Sequence, residues 1–210
     1  MDDRRSISID GHIAEGGFTP RTEARYNGLR MSATEFETLP DDGAKYELID
    51  GVVVMSPSAS FRHQSIAGEI GRQIANYLGK HPIGEVVQEV DVILDAIRVY
   101  RPDLVFVRTE RLPPPDERIH SIPDMVLEVL SPGTQARDLG TKRDDYERFG
   151  INEYWIVDPM SRKLTFLRLT TGRAGKAAYK PVPVKGSIFA STAIAGFKLD
   201  IAAVKKLMRG

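Results

Sequence analysis

A chain of 210 residues with 41% hydrophobic and 28% charged side chains has the make-up of one globular domain plus an extension, which excludes a disordered or fibrous chain. It contains no cysteine, so disulfides and thiolate metal sites are excluded. Lys plus Arg and Asp plus Glu both number 29, so the formal net charge is zero and any surface for a phosphate backbone must be a local patch.

No apolar run approaches the roughly 18 residues of a membrane span. The N-terminal MDDRRSISID has no apolar signal core, so a cytoplasmic location is expected. Residues 1–30 are polar and without clear periodicity, and are expected to form an arm outside a domain of residues 31–210. Ser32, with Glu35 three residues on, marks the start of a short helix ending near Leu39-Pro40. Two apolar runs flank Asp50-Gly51, the signature of a hairpin, with Glu47 in its first strand. Ser58 or Ser60 can cap a long helix reaching Leu78. Its buried stripe is His63, Ile66, Ala67, Ile70, Ile74, Tyr77 and Leu78, which sets His63 at the N-terminal end of that face.

Gly84 to Leu94 reads as extended structure, and Leu104 to Val107 as a buried strand entered through Arg101-Pro102-Asp103. Met125 to Leu130 is another buried strand, stopped by Ser131-Pro132-Gly133. One helix is expected from about Gln135 to Phe149, with Leu139, Lys142, Tyr146 and Phe149 on one face. Asn152 to Asp158 reads as a strand, the alternating segment from Leu164 as an antiparallel strand, and Ala202 to Met208 as a closing helix. This order of elements predicts an α/β fold, a mixed sheet with helices on its faces.

Four residues are misplaced as packing elements: Glu47, Asp103, Glu128 and Lys142. Glu128 interrupts an apolar strand, where a carboxylate is costly unless an arginine, a proton or a metal ion compensates it. Asp103 heads a second buried strand, and neighbouring strands would bring both carboxylates to one sheet end. Two carboxylates within ~4–6 Å require a proton or a cation between them. Mg²⁺ suits such a pair, because it takes one or two carboxylates and keeps waters that a phosphate can displace. A lysine beside the metal could orient or help deprotonate water and stabilise charge on phosphate.

Pro102-Asp103 followed by Glu128-Val-Leu-Ser-Pro resembles the PD-(D/E)XK nuclease superfamily. The segments YELIDG, RPDLVFV, LEVLSP, RDLGTKRDDYERFG and EYWIVDP, in that order, resemble more narrowly the Uma-two family, whose members are classed as restriction endonucleases. The resemblance runs from Met31 to about Asp200. It implies a restriction-endonuclease-like core of a mixed β-sheet flanked by helices. It also implies a divalent metal, Mg²⁺ or Mn²⁺, held by Asp103, Glu128 and the backbone carbonyl of Val129, with Glu47 nearby. The superfamily lysine would stand at position 130, which is Leu130; the narrower family suggests that Lys142 replaces it from the helix.

Plainer readings exist for each residue. Glu128 could pair with a buried arginine, and Asp103 could merely accept backbone N–H groups. Lys142 could reach past the stripe to water or pair with Asp138. Glu47 could be exposed on its hairpin. His63 could be a packed or capping histidine, or could touch phosphate or a metal-bound water. Tyr146 and Trp155 read as core. Arg137, Arg143 and Arg148 read as a solvated face or as guides for a phosphate backbone. The joint expectation is a Mg²⁺-dependent DNA endonuclease acting as a homodimer, with Glu47, Asp103, Glu128 and Lys142 catalytic and His63 accessory. The competing expectations are a catalytically silent nucleic-acid-binding or assembly module on the same fold, and a metal-free two-carboxylate hydrolase.

Overall fold

The computed structural model describes residues 24–172, 175–184 and 186–209. Residues 1–23, most of the expected arm, lie outside the described set. Residues 24–30 lie against the hairpin that follows: Tyr26 is buried, the Gly28 N–H donates to the Val53 carbonyl at 2.7 Å, and Arg30 bridges to Val52.

The first helix, α1 (Ala33–Glu37), carries the capping box: the Ser32 hydroxyl accepts from the Glu35 N–H, and Glu35 accepts from the Ser32 N–H. The hairpin β1 (Lys45–Ile49) and β2 (Val52–Ser56) pairs Ile49 with Val52. Its turn needs positive φ at both central residues, and Asp50 (φ 49°) and Gly51 (φ 74°) supply it. Helix α2 (Phe61–Leu78) starts at Ser60, whose side chain accepts from the His63 N–H.

Strands β3 (Gly84–Gln88), β4 (Val92–Asp95), β5 (Arg98–Tyr100), β6 (Leu104–Arg108) and β7 (Met125–Val129) follow. The stretch expected to be one extended segment is therefore two strands, separated where Glu89 adopts φ 51° and sent into different sheets. After β7 come α3 (Gln135–Leu139), α4 (Thr141–Phe149), β8 (Glu153–Asp158), β9 (Lys163–Thr171) and β10 (Ala177–Pro181). Strands β11 (Ile188–Ala190) and β12 (Lys198–Asp200) and helix α5 (Ile201–Leu207) close the chain.

A six-stranded sheet runs β10-β9-β8-β7-β6-β3 and a four-stranded antiparallel sheet runs β2-β1-β5-β4. The large sheet is mixed, with β7 and β8 parallel and its other pairs antiparallel. A parallel pair needs a crossover, and here α3 and α4 provide it. Every residue of β7 is buried, as expected for a central strand covered on both faces. Met125, Leu127 and Val129 join Ile66, Ile70 and Ile74 of α2 and Val204 of α5 in one core layer. Val126 joins Tyr146, Tyr154 and Leu130 in the layer on the opposite face. By this alternation Glu128 points to the α4 side.

The expected single helix Gln135–Phe149 is broken. Gly140 has φ −112° and ψ −100°, outside the helical region, and divides it into α3 and α4. The break shifts the helical phase, so the expected shared face does not hold for Leu139, which is 42% exposed, while Asp138 turns inward to 2%. Helix α4 ends at Gly150 in the left-handed conformation, φ 84°. Among the described residues no helix is long and apolar enough to cross a membrane.

Candidate active site

Glu47, Asp103, Glu128 and Lys142 line one cleft of about 790 Å³, together with His63, Val129 and Asp138. Each arrives from a different element. In β1 the neighbours Tyr46 and Leu48 pack into the small core beneath α1, so alternation turns Glu47 the other way, where it is 3% exposed. Glu128 comes from the centre of the large sheet and Lys142 from the first turn of α4. Asp103 sits in the bend that enters β6, and His63 in the first turn of α2.

The Lys142 ammonium is the hub. It lies 2.6 Å from Glu47 Oε1, 2.8 Å from Glu128 Oε1 and 3.6 Å from Asp138 Oδ1. The lysine is 3% exposed and does not extend to water, and Glu128's partner is this lysine, not an arginine. Tyr146 has a second use beside packing: its hydroxyl donates to Glu128 Oε1 at 3.0 Å. The Arg101 N–H donates to Glu47 Oε1 at 2.9 Å and the Ser56 hydroxyl to Oε2 at 3.4 Å. Asp103 Oδ2 accepts the Val129 N–H at 2.6 Å and stands 3.2 Å from His63 Nε2. The backbone role open to Asp103 is therefore present, and it ties the aspartate to the strand that carries Glu128.

Charge in this cluster is unbalanced. Three carboxylates, Glu47, Glu128 and Asp138, share Lys142, while Asp103 faces His63 at the edge. Burial raises the Glu128 pKa well above its ordinary range; Lys142 opposes that, and Asp138, Asp103 and Glu47 reinforce it. Asp138 is raised in the same way, by burial first, against the pull of Lys142. For Lys142 burial acts downward, but Glu128, Glu47 and Asp138 together outweigh it and hold the ammonium protonated. Burial also acts downward on His63, and Asp103 and the Val129 backbone outweigh it, so its pKa is raised.

Other buried carboxylates do not share this imbalance. Asp124, fully buried, is paired with Arg111 and lies 3.3 Å from Arg108 Nε. Glu153 accepts from Arg168, Trp155, Ser191 and Thr192. Both are satisfied structural ion centres. Arg143 and Arg148 pair with Asp144 and Asp145.

The donor set fits a hard divalent cation. Among the described residues no hydrogen bond reaches Glu128 Oε2 or Asp103 Oδ1, and the buried Asp138 Oδ1 has no hydrogen-bond partner. The Leu130 N–H donates to the Val157 carbonyl, so in this parallel pair the N–H and C=O of Val129 turn away from β8. Leu104 stands opposite Leu127. The ladder ends there, and the Val129 N–H goes instead to the Asp103 side chain. No group of three or more His, Asp or Glu side chains is gathered in metal-holding geometry among the described residues. Asp103, Glu128 and the Val129 carbonyl are the groups that could hold such an ion, with solvent completing its shell.

From the sequence Asp138 reads only as a pairing partner of Lys142 and Tyr146 only as core. The spacing of four between Asp138 and Lys142 was the available signal for the first; nothing in the sequence marked the hydroxyl of the second.

A mixed sheet flanked by helices is the architecture expected of a restriction-endonuclease-like core. The fold matches a solved structure described as "a putative nuclease belonging to DUF820" from Anabaena variabilis, with TM-score 0.69 and 17% identity over 85% of this chain and 99% of that one. The family model Uma2, "Putative restriction endonuclease", matches residues 33–202. The chain belongs to the Uma2 family. No curated protein matches it.

Proposed function

We propose that the protein is a metal-dependent DNA endonuclease that hydrolyses phosphodiester bonds. The observation that carries this reading is the Lys142 ammonium set between Glu47 and Glu128, beside Asp103, on the floor of one cleft. Membership of the Uma2 family and the description of the Anabaena protein support it.

Asp103, Glu128 and the Val129 carbonyl would hold Mg²⁺ or Mn²⁺, with Glu47 close by. Bound there, the ion supplies Lewis-acid stabilisation of phosphate oxygens and a water acidified enough to attack phosphorus. Lys142 is ringed by carboxylates and protonated, so it donates: it orients the attacking water and stabilises charge on the phosphate. Tyr146, bonded to the same Glu128 oxygen as Lys142, fixes the rotamer that leaves Oε2 toward the cleft. His63 braces Asp103 and, when protonated, can hold a proton for the leaving oxygen. Two-fold pairing is the commonest arrangement of soluble oligomers, so a homodimer acting on DNA in the cytoplasm belongs to the same proposal.

The test is incubation of supercoiled plasmid with Mg²⁺ or Mn²⁺, comparing wild type with Glu128→Ala and with EDTA present. Nicked and linear products from wild type alone, abolished by EDTA, are expected. Wild type that retains DNA but never cuts it under any divalent metal would point to a silent binding module, and EDTA-resistant cleavage to a metal-free hydrolase.

A further inference from the structure

Two large apolar side chains stand far out of the surface. Phe61 is 91% exposed and Met160 is 80% exposed, while the other exposed large hydrophobics among the described residues reach 47% at most. Both line the cleft that holds Lys142 and Glu128. They enter it from separate elements: Phe61 is the first residue of α2, and Met160 lies in the turn between β8 and β9. An isolated exposed apolar residue needs no explanation, but the two most exposed ones lining the same cleft as Lys142 and its carboxylates do.

Both positions are fixed. The Phe61 carbonyl accepts the Ser65 hydroxyl at 2.8 Å, one turn below the Ser60 cap. The Met160 N–H donates to Asp158 Oδ1 at 2.9 Å, and the Ser161 N–H to the same oxygen at 3.1 Å. A ring and a thioether carried on anchored backbone are a ready surface for a flat aromatic group, and methionine sulfur makes favourable contacts with aromatic rings. The exposed Arg62 lies next to Phe61 and also lines the cleft, adding positive charge where a phosphate would pass. The chemical groups that Glu47, Glu128 and Lys142 would act on must reach the cleft floor, where each is at most 4% exposed. A cleft of about 790 Å³ has room for a short run of single strand, whereas a duplex with its bases paired is wider.

We propose that Phe61 and Met160 form a stacking jaw for an unpaired base beside the scissile phosphate, so that the substrate is single-stranded or locally unpaired nucleic acid. This rests on the nuclease reading and specifies its substrate. The occupant is nucleic acid because one strand carries both things the mouth offers sites for: a π-face for Phe61 and Met160 and a phosphate for Arg62.

The test is fluorescence anisotropy with fluorescein-labelled oligodeoxynucleotides, Ca²⁺ replacing Mg²⁺, using a single strand, a duplex with a central bubble, and an intact duplex. Wild type should bind the first two at least about tenfold more tightly than the third. Phe61→Ala and Met160→Ala should each remove most of that preference, about tenfold for the phenylalanine. Phe61→Trp should keep it, and duplex affinity should not move. Circular dichroism should show both alanine variants folded, as expected for exposed positions. Equal affinity for all three probes, or a preference untouched by either alanine variant, overturns the jaw and leaves the nuclease proposal standing. A change in oligomeric state on Phe61→Ala also overturns it, assigning the patch to self-association. Wild type that binds no oligonucleotide overturns both proposals together.

Discussion

The ammonium of Lys142 and the carboxylate of Glu128 meet at 2.8 Å although one comes from a helix and the other from the sheet beneath it, and both are nearly inaccessible to water. Among the described residues no other cation meets Glu128, and Lys142 also serves Glu47 and Asp138. Replacing it by Lys142→Met keeps most of the volume and leaves the acidic groups without their cation. Breaking a buried pair on one side costs about 3–5 kcal/mol. The expected result is that loss in urea unfolding of metal-free protein near pH 7, with plasmid cleavage abolished. A variant as stable as wild type would mean that water already solvates this cluster.

Metal-free stability should depend on pH through Glu128. Burial raises its pKa in the folded protein above the ordinary 4.5, so the neutral form favours folding. That contribution is full below about pH 4.5 and is lost as pH rises through the folded-state pKa. Asp138, raised by burial as well, acts in the same direction. From pH 5 upward, wild type should lose stability relative to Glu128→Gln, by at most about 1.4 kcal/mol per pH unit for one proton. Mg²⁺ should flatten the difference. Parallel curves for the two proteins from pH 5 to 8 would show that Glu128 is already ionised.

Asp103 makes a structural contact that can be separated from the metal role proposed for it. Its Oδ2 accepts the Val129 N–H at 2.6 Å, and an asparagine oxygen can do the same. Asp103→Asn should therefore cost under about 1 kcal/mol of stability. It removes a charge from the set offered to a cation, so Mn²⁺ affinity measured by calorimetry should fall at least about tenfold, and cleavage should be lost. Unchanged Mn²⁺ affinity would leave Asp103 as a brace for β7 alone.

The parts of this architecture written in local chemistry were legible before any coordinates. Ser32 with Glu35, Asp50-Gly51 and Ser60 each act within a few residues, and the structure shows each as cap or turn. Glu128 and Lys142 were visible because each breaks an apolar period. Phase was harder to read. One glycine with ψ −100° turns Asp138 inward and Leu139 outward, and a continuous 3.6-residue pattern cannot register that. Partners far apart in sequence were harder still to read. Pro123-Asp124 looks like Pro102-Asp103 in sequence, yet Asp124 meets Arg111 and Arg108 while Asp103 meets a backbone N–H and His63. Those arginines and that histidine are separated in sequence from the acids they meet, so only the folded chain distinguishes a neutralised aspartate from one left toward the cleft. The division of Gly84 to Leu94 between two sheets has the same origin, since each half is chosen by strands far away in the chain.

Gly140 should be the position where a small change of backbone is felt most in chemistry. It separates α3 from α4 two residues before Lys142, and a Cβ added there would lie 2.9 Å from the Ala136 carbonyl oxygen. Backbone on that side cannot yield as a flexible side chain would, so Gly140→Ala forces the α3–α4 junction to shift. Alanine also favours a continuous helix by about 1 kcal/mol over glycine. Straightening would carry the Lys142 ammonium away from Glu47 and Glu128 and return Asp138 toward solvent. A misplacement of about 1 Å at a reacting group can cost on the order of a hundredfold in rate. The expected outcome is a folded protein, destabilised by about 1–3 kcal/mol as for overpacking, whose cleavage rate falls about a hundredfold with DNA affinity largely kept. If rate and stability both match wild type, the junction tolerates the methyl group and Lys142 is positioned by its carboxylates alone.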